Sequence, residues 1–391
     1  MTNAPATLAD DPGPLPAALL PEGVRARFVD GVNGLRMHVL EAGHEPAGRP
    51  LLLLLHGFPE LAYSWRKLMR PLADAGWHVV APDQRGYGRT TGWDGRYEAD
   101  LSAYRMLNLV RDAMGLVAAL GARRVDAVVG HDFGSPVAAW AALLRPDVFG
   151  SVALMSAPFG GPPALPLGGA ELPDPTAALA DLAALPRPRK HYQWYYSTPE
   201  ADADMHAPPQ GLHAFLRGYY HHKSADWPGN RPYPLTAWSA EALAKLPTYY
   251  VMDLDRDMAA TVAPEMPSAA QIAACGWLPE HELAVYAAEY GRTGFQGALN
   301  WYRGRTSGRF VAEEQLFSGR TIDVPACFIA GASDWGVHQT AGQFEAMQAR
   351  ACTRLLGCHL IEGAGHWVQQ EQPAAVLERL LAFLRARPRG G

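Results

Sequence analysis

Asp132 stands at the centre of Gly130-His131-Asp132-Phe133-Gly134, between the apolar run 125–129 (VDAVV) and the helical stretch 135–146 (SPVAAWAALLRP). Glycines on either side of a strand-to-helix turn let the chain double back tightly and leave the central side chain projecting above a sheet. A helix N-cap is the plainer role for such an Asp. A serine at this point would need a base to remove its proton before attack. A carboxylate, with a reference pKa of ~3.9, is already ionised at neutral pH and can attack unaided. Its natural target is a saturated carbon carrying a leaving group, and the product is an ester on the protein.

Such an ester must then be hydrolysed, which calls for a base, an orienting acid and oxyanion donors. His366, in Gly363-Ala364-Gly365-His366-Trp367, supplies an imidazole that can take a proton from the attacking water. Asp334, in Gly331-Ala332-Ser333-Asp334-Trp335-Gly336, supplies a carboxylate to fix the imidazole tautomer and stabilise its charged form. The chain order nucleophile, acid, histidine is that of a strand–elbow–helix hydrolase. His56-Gly57-Phe58-Pro59-Glu60 follows another apolar run and can aim the backbone N–H of Phe58 at the site. The N–H of Phe133 is the second expected donor to a tetrahedral oxyanion. His56 itself reads as structural, and Asp83-Gln84-Arg85-Gly86-Tyr87-Gly88-Arg89 as a structural turn with local ion pairs.

The elements needed to position these residues are legible as short apolar runs separated by helical stretches. Leu51–Leu55 is too uniformly apolar for a half-exposed strand and suits one buried on both faces of a parallel sheet. Segments 78–83, 125–130, 151–157, 324–332 and 358–364 repeat the theme. Residues 24–42 read as a hairpin, and helices are expected at 61–75, 101–120, 339–349 and 374–387. Alternation of strand and helix predicts an α/β protein with a mostly parallel sheet, its ligand site at the carboxyl ends of the strands. Asp132, Asp334 and His366 each follow a different expected strand. The theme breaks after Ser156, where a Pro/Gly/Ala/Leu-rich stretch leads into helical, aromatic-rich sequence. The expected organisation is therefore a flexible arm (1–23), a first core part (24–157), a helical insertion (158–310) and a second core part (311–391).

Composition excludes several classes. With 48% hydrophobic and 19% charged residues the 391-residue chain is neither disordered nor short of core material. A net charge of -5 without a basic stripe argues against nucleic acid. The longest unbroken apolar run, Val137–Leu144, is far short of a membrane span. The first residues lack a basic stretch and contain proline, which predicts no signal peptide. Four cysteines without CxxC spacing fit a reducing, cytoplasmic setting. His221-His222 has no matching metal-ligand pattern, and neither a dinucleotide fingerprint nor a P-loop is present, so no metal and no cofactor is expected.

Taken together, HGFPELAYSWRK (56–67), PDQRGYGRT (82–90), GHDFG, GASDWGV and GAGHWVQQEQP resemble the epoxide hydrolases of the α/β-hydrolase superfamily, in that family's order, over about residues 25–388. The resemblance implies an α/β-hydrolase fold with helices on both faces of the sheet and the insertion as a largely helical lid. It further implies that two lid tyrosines assist ring opening. Segment 191–196 (HYQWYY) places one at Tyr192, with Tyr195 and Tyr196 as neighbours separated only by register, and segment 297–303 (GALNWYR) places the other at Tyr302. Phenols suit this task, because an epoxide departs as an alkoxide and needs a proton or strong hydrogen bonds in an apolar pocket. Trp65, Trp301 and Trp367 are candidates for the pocket wall. The expected partners are a small apolar epoxide and water, with a homodimer left open. The nearest rival is a haloalkane or haloacid dehalogenase using the same Asp-His-Asp set. In haloalkane dehalogenases a Trp after the nucleophile binds halide, and here that position is Phe133. A non-catalytic small-molecule receptor on the same scaffold is the rival from another class.

Overall fold

The computed structural model describes residues 12–45, 48–166 and 176–386. Eight strands form one sheet: β1 (Val24–Val32), β2 (Leu35–Ala42), β3 (Leu51–Leu55), β4 (His78–Pro82), β5 (Ala127–His131), β6 (Val152–Met155), β9 (Ala326–Gly331) and β10 (Leu355–Ile361). Two further strands, β7 (Arg189–His191) and β8 (Val251–Asp253), pair as an antiparallel ribbon inside the insertion. The main sheet runs β1-β2-β4-β3-β5-β6-β9-β10, and every pairing from β4 to β10 is parallel. Every residue of β3, β5, β6 and β9 is buried, as uniformly apolar runs in a sheet covered on both faces require.

The order β4-β3-β5 is the feature that makes a site. From β3 the chain steps one way to β4 and later returns to β5 on the opposite side, so the loops after β3 and β5 diverge over a crevice at the strand ends. Leu55 pairs with Gly130, which sets the His56–Glu60 loop directly beside Asp132.

The helices follow their apolar periodicity. The closing helix Pro373–Ala386 buries Val376, Leu380, Phe383 and Leu384, one stripe at helical spacing, and begins on a proline that suits a first turn. The expected 61–75 helix divides into a 3-10 turn, Ala62–Trp65, and a helix, Arg66–Asp74. The expected 339–349 helix is shorter, Gln343–Ala346, and runs into a wider π turn over Met347–Ala351.

Between β6 and β9 the chain is mainly helical, as expected, with the β7–β8 ribbon as an addition. Of the expected arm, residues 1–11 lie outside the described residues. Residues 12–23 lie against the core: Arg89 donates to the carbonyls of Pro12 and Gly13 at 2.7 and 3.1 Å, and Leu15 is buried. Residues 167–175 of the Pro-rich stretch also lie outside the described residues. No helix among the described residues is long and apolar enough to cross a membrane.

Candidate active site

Asp132 occupies the turn between β5 and the helix Gly134–Leu144 with φ of +50°, a conformation that L residues rarely adopt. The flanking glycines are steric necessities. A Cβ on Gly130 would meet Gly134 O at 2.1 Å, and one on Gly134 would meet Leu55 O at 2.3 Å. The turn therefore closes only with glycine at both places, and it presents Asp132 at the strand end.

Three elements converge on that carboxylate. The N–H of Phe58 donates to Asp132 Oδ1 at 2.9 Å. His366 Nε2 lies 3.2 Å from Asp132 Oδ2 but is not aligned for a hydrogen bond to it. His366 Nδ1 lies 3.0 Å from Asp334 Oδ1, which also accepts the N–H of Gly336 at 2.7 Å. The Asp132 side chain keeps 12% of its surface exposed against 2% and 1% for His366 and Asp334, so it alone is open to a ligand. Among the described residues the Phe133 N–H donates to no acceptor.

The charges are mutually set. Burial alone would raise Asp132, but the adjacent His366, then Lys223 and His131, outweigh it and hold the carboxyl well below the usual carboxylate range. Burial and the Lys223 ammonium push His366 down. Asp334 and Asp132, on either side, outweigh them and hold it above its ordinary value. The surroundings thus favour an ionised Asp132 beside an imidazole that holds a proton more tightly than usual.

Facing the carboxylate are the aromatic side chains of the insertion. The Tyr302 ring packs edge-on against Phe133 and Phe58 at 4.9 and 5.4 Å and lies 5.9 Å from the Tyr192 ring. Burial, then the Asp132 charge, push both phenols upward, so both keep their protons. Their hydroxyls differ. Tyr302 Oη has no hydrogen-bond partner among the described residues, whereas Tyr192 Oη donates to Gln339 Oε1 at 3.2 Å and accepts from Gln193 Nε2 at 3.1 Å. Of the neighbours in register, Tyr195 Oη is engaged by Asp204 at 2.8 Å and Tyr196 Oη by Tyr219 at 3.1 Å.

Two devices hold these tyrosines in place. The Tyr192 N–H donates to Tyr250 O at 2.8 Å, extending the β7–β8 ribbon into the turn that carries Tyr192. The helix Gln296–Thr306, which carries Tyr302, is pressed backbone to backbone on the loop after β4: a Cβ on Gly297 would meet Gly86 O at 2.4 Å. Trp301 Nε1 donates to Arg85 O at 2.8 Å in the same contact. The ion pairs of the Asp83–Arg89 loop are accordingly not local. Arg85 pairs with Asp112 at 2.7 Å and Arg89 reaches Glu289 of the insertion at 2.6 Å.

Comparison with known proteins agrees with this arrangement. The α/β hydrolase fold family matches residues 50–373. Epoxide hydrolase A of Mycobacterium tuberculosis is 38% identical over 362 residues, covering 92% of this chain and 96% of that protein. Epoxide hydrolase B of the same organism is 33% identical, covering 90% and 96%. Among solved structures, an epoxide hydrolase from an endophytic Streptomyces superposes with a TM-score of 0.73 at 33% identity, covering 93% of this chain and 96% of that one. The chain belongs to the epoxide hydrolases of the α/β-hydrolase superfamily.

Within this epoxide hydrolase the expected tryptophans separate. Trp301 packs on Phe133 at 5.3 Å and Trp367 on His366 at 4.7 Å, so both stand beside the Asp132, His366 and Asp334 cluster. All three are buried, but among the described residues no ring contact joins Trp65 to this cluster. His56 is structural: Nδ1 bonds Gly57 O at 2.9 Å and Nε2 accepts the Gln84 N–H at 3.1 Å. Among the described residues no three His, Cys, Asp or Glu side chains come together as metal ligands would. His222 is instead packed between Trp227 and Tyr249, and burial pushes it down to about 3.

Sequence reasoning missed a buried layer beneath the triad. His131 Nδ1 meets Glu60 Oε2 at 2.6 Å, and His131 Nε2 donates to His366 O at 2.7 Å. Glu60 also accepts from Gln369 at 3.0 Å and Gln370 at 2.7 Å. Burial would raise this carboxyl, but the His131 charge and hydrogen bond outweigh that and lower it. The network ties the loops after β3, β5 and β10 to one another. Its available signal was the presence of Glu60 and His131 inside the two motifs already singled out.

Proposed function

We propose that this protein adds water to an epoxide in two steps, through an ester on Asp132, to give a vicinal diol. In the first step Asp132 Oδ2 attacks an epoxide carbon from below as the ring C–O bond breaks above it. The departing alkoxide takes a proton from a lid tyrosine, Tyr302 or Tyr192. That tyrosine recovers its proton through solvent from the His366 imidazolium, which no longer faces an anionic Asp132. In the second step neutral His366 removes a proton from water as the water oxygen adds to the ester carbonyl. The resulting oxyanion occupies the position of Asp132 Oδ1, beside the N–H groups of Phe58 and Phe133; losing one such donor typically costs ~3 kcal/mol. Collapse expels the glycol oxygen, which takes the proton from His366, and the new acid on Asp132 then reprotonates His366. Asp334 holds the imidazole throughout.

The observation that supports this reading is an Asp132 carboxylate between the Phe58 N–H and His366, with Tyr302 packed on Phe133 and Phe58 and its hydroxyl free of any partner among the described residues. The aromatic wall of Phe133, Trp301 and Trp367 favours an apolar substrate. The test is a panel of styrene-like, aliphatic and fatty-acid epoxides with diols quantified by chiral chromatography. Diol from at least one class is expected. Conversion of none by folded protein would overturn the reading in favour of a non-catalytic receptor.

A further inference from the structure

Lys223, the last residue of the helix Leu212–Lys223, is the buried cation for which the triad chemistry above gives no task. Only 3% of it is exposed, and among the described residues its ammonium has no hydrogen bond and no carboxylate within ion-pair distance. Aromatic faces surround it instead: Tyr250 at 4.9 Å, Trp367 at 5.4 Å, Tyr219 at 5.5 Å and Tyr249 at 5.7 Å. Its own backbone carbonyl accepts the His366 N–H at 2.9 Å, so this cation is anchored to the triad histidine. Gly365 permits the approach, because a Cβ there would meet Lys223 O at 2.6 Å.

A count of charge gives this arrangement a purpose. In the free protein the surroundings favour anionic Asp132 and Asp334 and a protonated His366, and a charged Lys223 balances the remaining negative charge. Once Asp132 is an ester, Asp334 and Lys223 cancel one another only if His366 is neutral, and a neutral imidazole is what water activation requires.

We propose that Lys223 is a positioning residue that acts through His366, its buried ammonium keeping the imidazole neutral in the alkylated protein so that ester hydrolysis persists into mildly acidic solution. The proposal rests on the alkyl-enzyme reading given above. The charged groups facing His366 are Asp132, Asp334 and Lys223, with the His131–Glu60 pair beneath. Burial pulls the Lys223 ammonium below its ordinary value, and the carboxylates that face it, Asp132, Asp334 and Glu60, oppose that. Burial keeps the phenols of Tyr219, Tyr249 and Tyr250 protonated, and His222 is neutral. Glu371, which accepts the N–H groups of Ala225, Gly365 and Trp367, is pushed up by burial to about 8 and so titrates on the alkaline side.

The experiment follows formation and breakdown of the Asp132 adduct in single turnovers from pH 5 to 8 by rapid quench and intact-protein mass spectrometry, with styrene oxide as the probe. Wild type is compared with Lys223→Met, Lys223→Gln and Lys223→Arg. Removing the cation should move the acidic limb of breakdown upward by roughly one unit, about tenfold slower breakdown below the limb, with alkylation much less affected. Arginine should restore the limb. A purely structural role would slow both steps equally at all pH values. An adduct that breaks down with the wild-type limb in either folded neutral variant overturns the proposal alone. Absence of any adduct in the wild type overturns the alkyl-enzyme reading and this proposal together.

Discussion

The two tyrosines proposed to assist ring opening are unequal in the free protein, and the inequality can be measured. Among the described residues Tyr302 Oη has no competing partner, so under the proposed mechanism its full hydrogen bond to the developing alkoxide would contribute to ring opening. Such a bond to a charged group is worth about 1.5–3 kcal/mol, so Tyr302→Phe should slow alkylation roughly 10- to 150-fold. Tyr192 already donates to Gln339 at 3.2 Å and must give up that bond before it can serve the epoxide. A neutral hydrogen bond contributes about 1 kcal/mol net, which leaves Tyr192 a gain of about 0.5–2 kcal/mol and Tyr192→Phe a loss of roughly 2- to 30-fold. Both changes remove a single oxygen from a packed ring and should leave the fold intact. Stopped-flow tryptophan fluorescence reads the alkylation step, since Trp301 and Trp367 flank the triad. The double variant should lose nearly all ring opening. A larger loss from Tyr192→Phe than from Tyr302→Phe, or wild-type rates in the double variant, would refute the reasoning.

Three further outcomes follow from the packing. Gly297→Ala forces a Cβ against the backbone of Gly86, so it should lower thermal stability by about 1–3 kcal/mol, as overpacking does, and slow alkylation by displacing Tyr302; unchanged melting and alkylation would contradict the contact. Glu60→Gln leaves His131 without its counter-charge and should cost about 3–5 kcal/mol in denaturant unfolding, whereas a change under about 0.5 kcal/mol would show that the buried pair carries little weight. With Phe133 in place of an indole donor, a 1-haloalkane should release no halide by ion chromatography under conditions that fully convert an epoxide; comparable turnover of both would favour the dehalogenase reading.

The parts of this protein that sequence revealed are those in which one residue type has one physical reason to be where it is. Leu51–Leu55 admits little but a strand buried on both faces, and it is one. The glycines around Asp132 mark a turn that only glycine can close. What the sequence concealed depends on distant packing. Only register distinguishes Tyr192 from Tyr195 in HYQWYY, and the engagement of Tyr195 by Asp204 exists only in three dimensions. Trp65 sits in the same motif as Phe58 yet, among the described residues, makes no ring contact with the aromatic cluster. Lys223 was one lysine among four, and its burial against His366 arises because the end of a distant helix meets the Gly365 backbone. The β7–β8 ribbon is only three residues on each side, too short for alternation to register.

The central claim is the covalent ester on Asp132, and His366→Gln tests it most directly. Under the proposed mechanism Asp132 attacks without help, so the variant should consume about one epoxide per site and then stop, because its ester carbonyl meets no activated water. Intact-protein mass spectrometry should show a persistent adduct equal to the epoxide mass, peptide mapping should place it on Asp132, and Asp132→Asn should form none once deamidation is checked. A His366→Gln protein that folds and binds substrate yet remains unmodified would contradict the account.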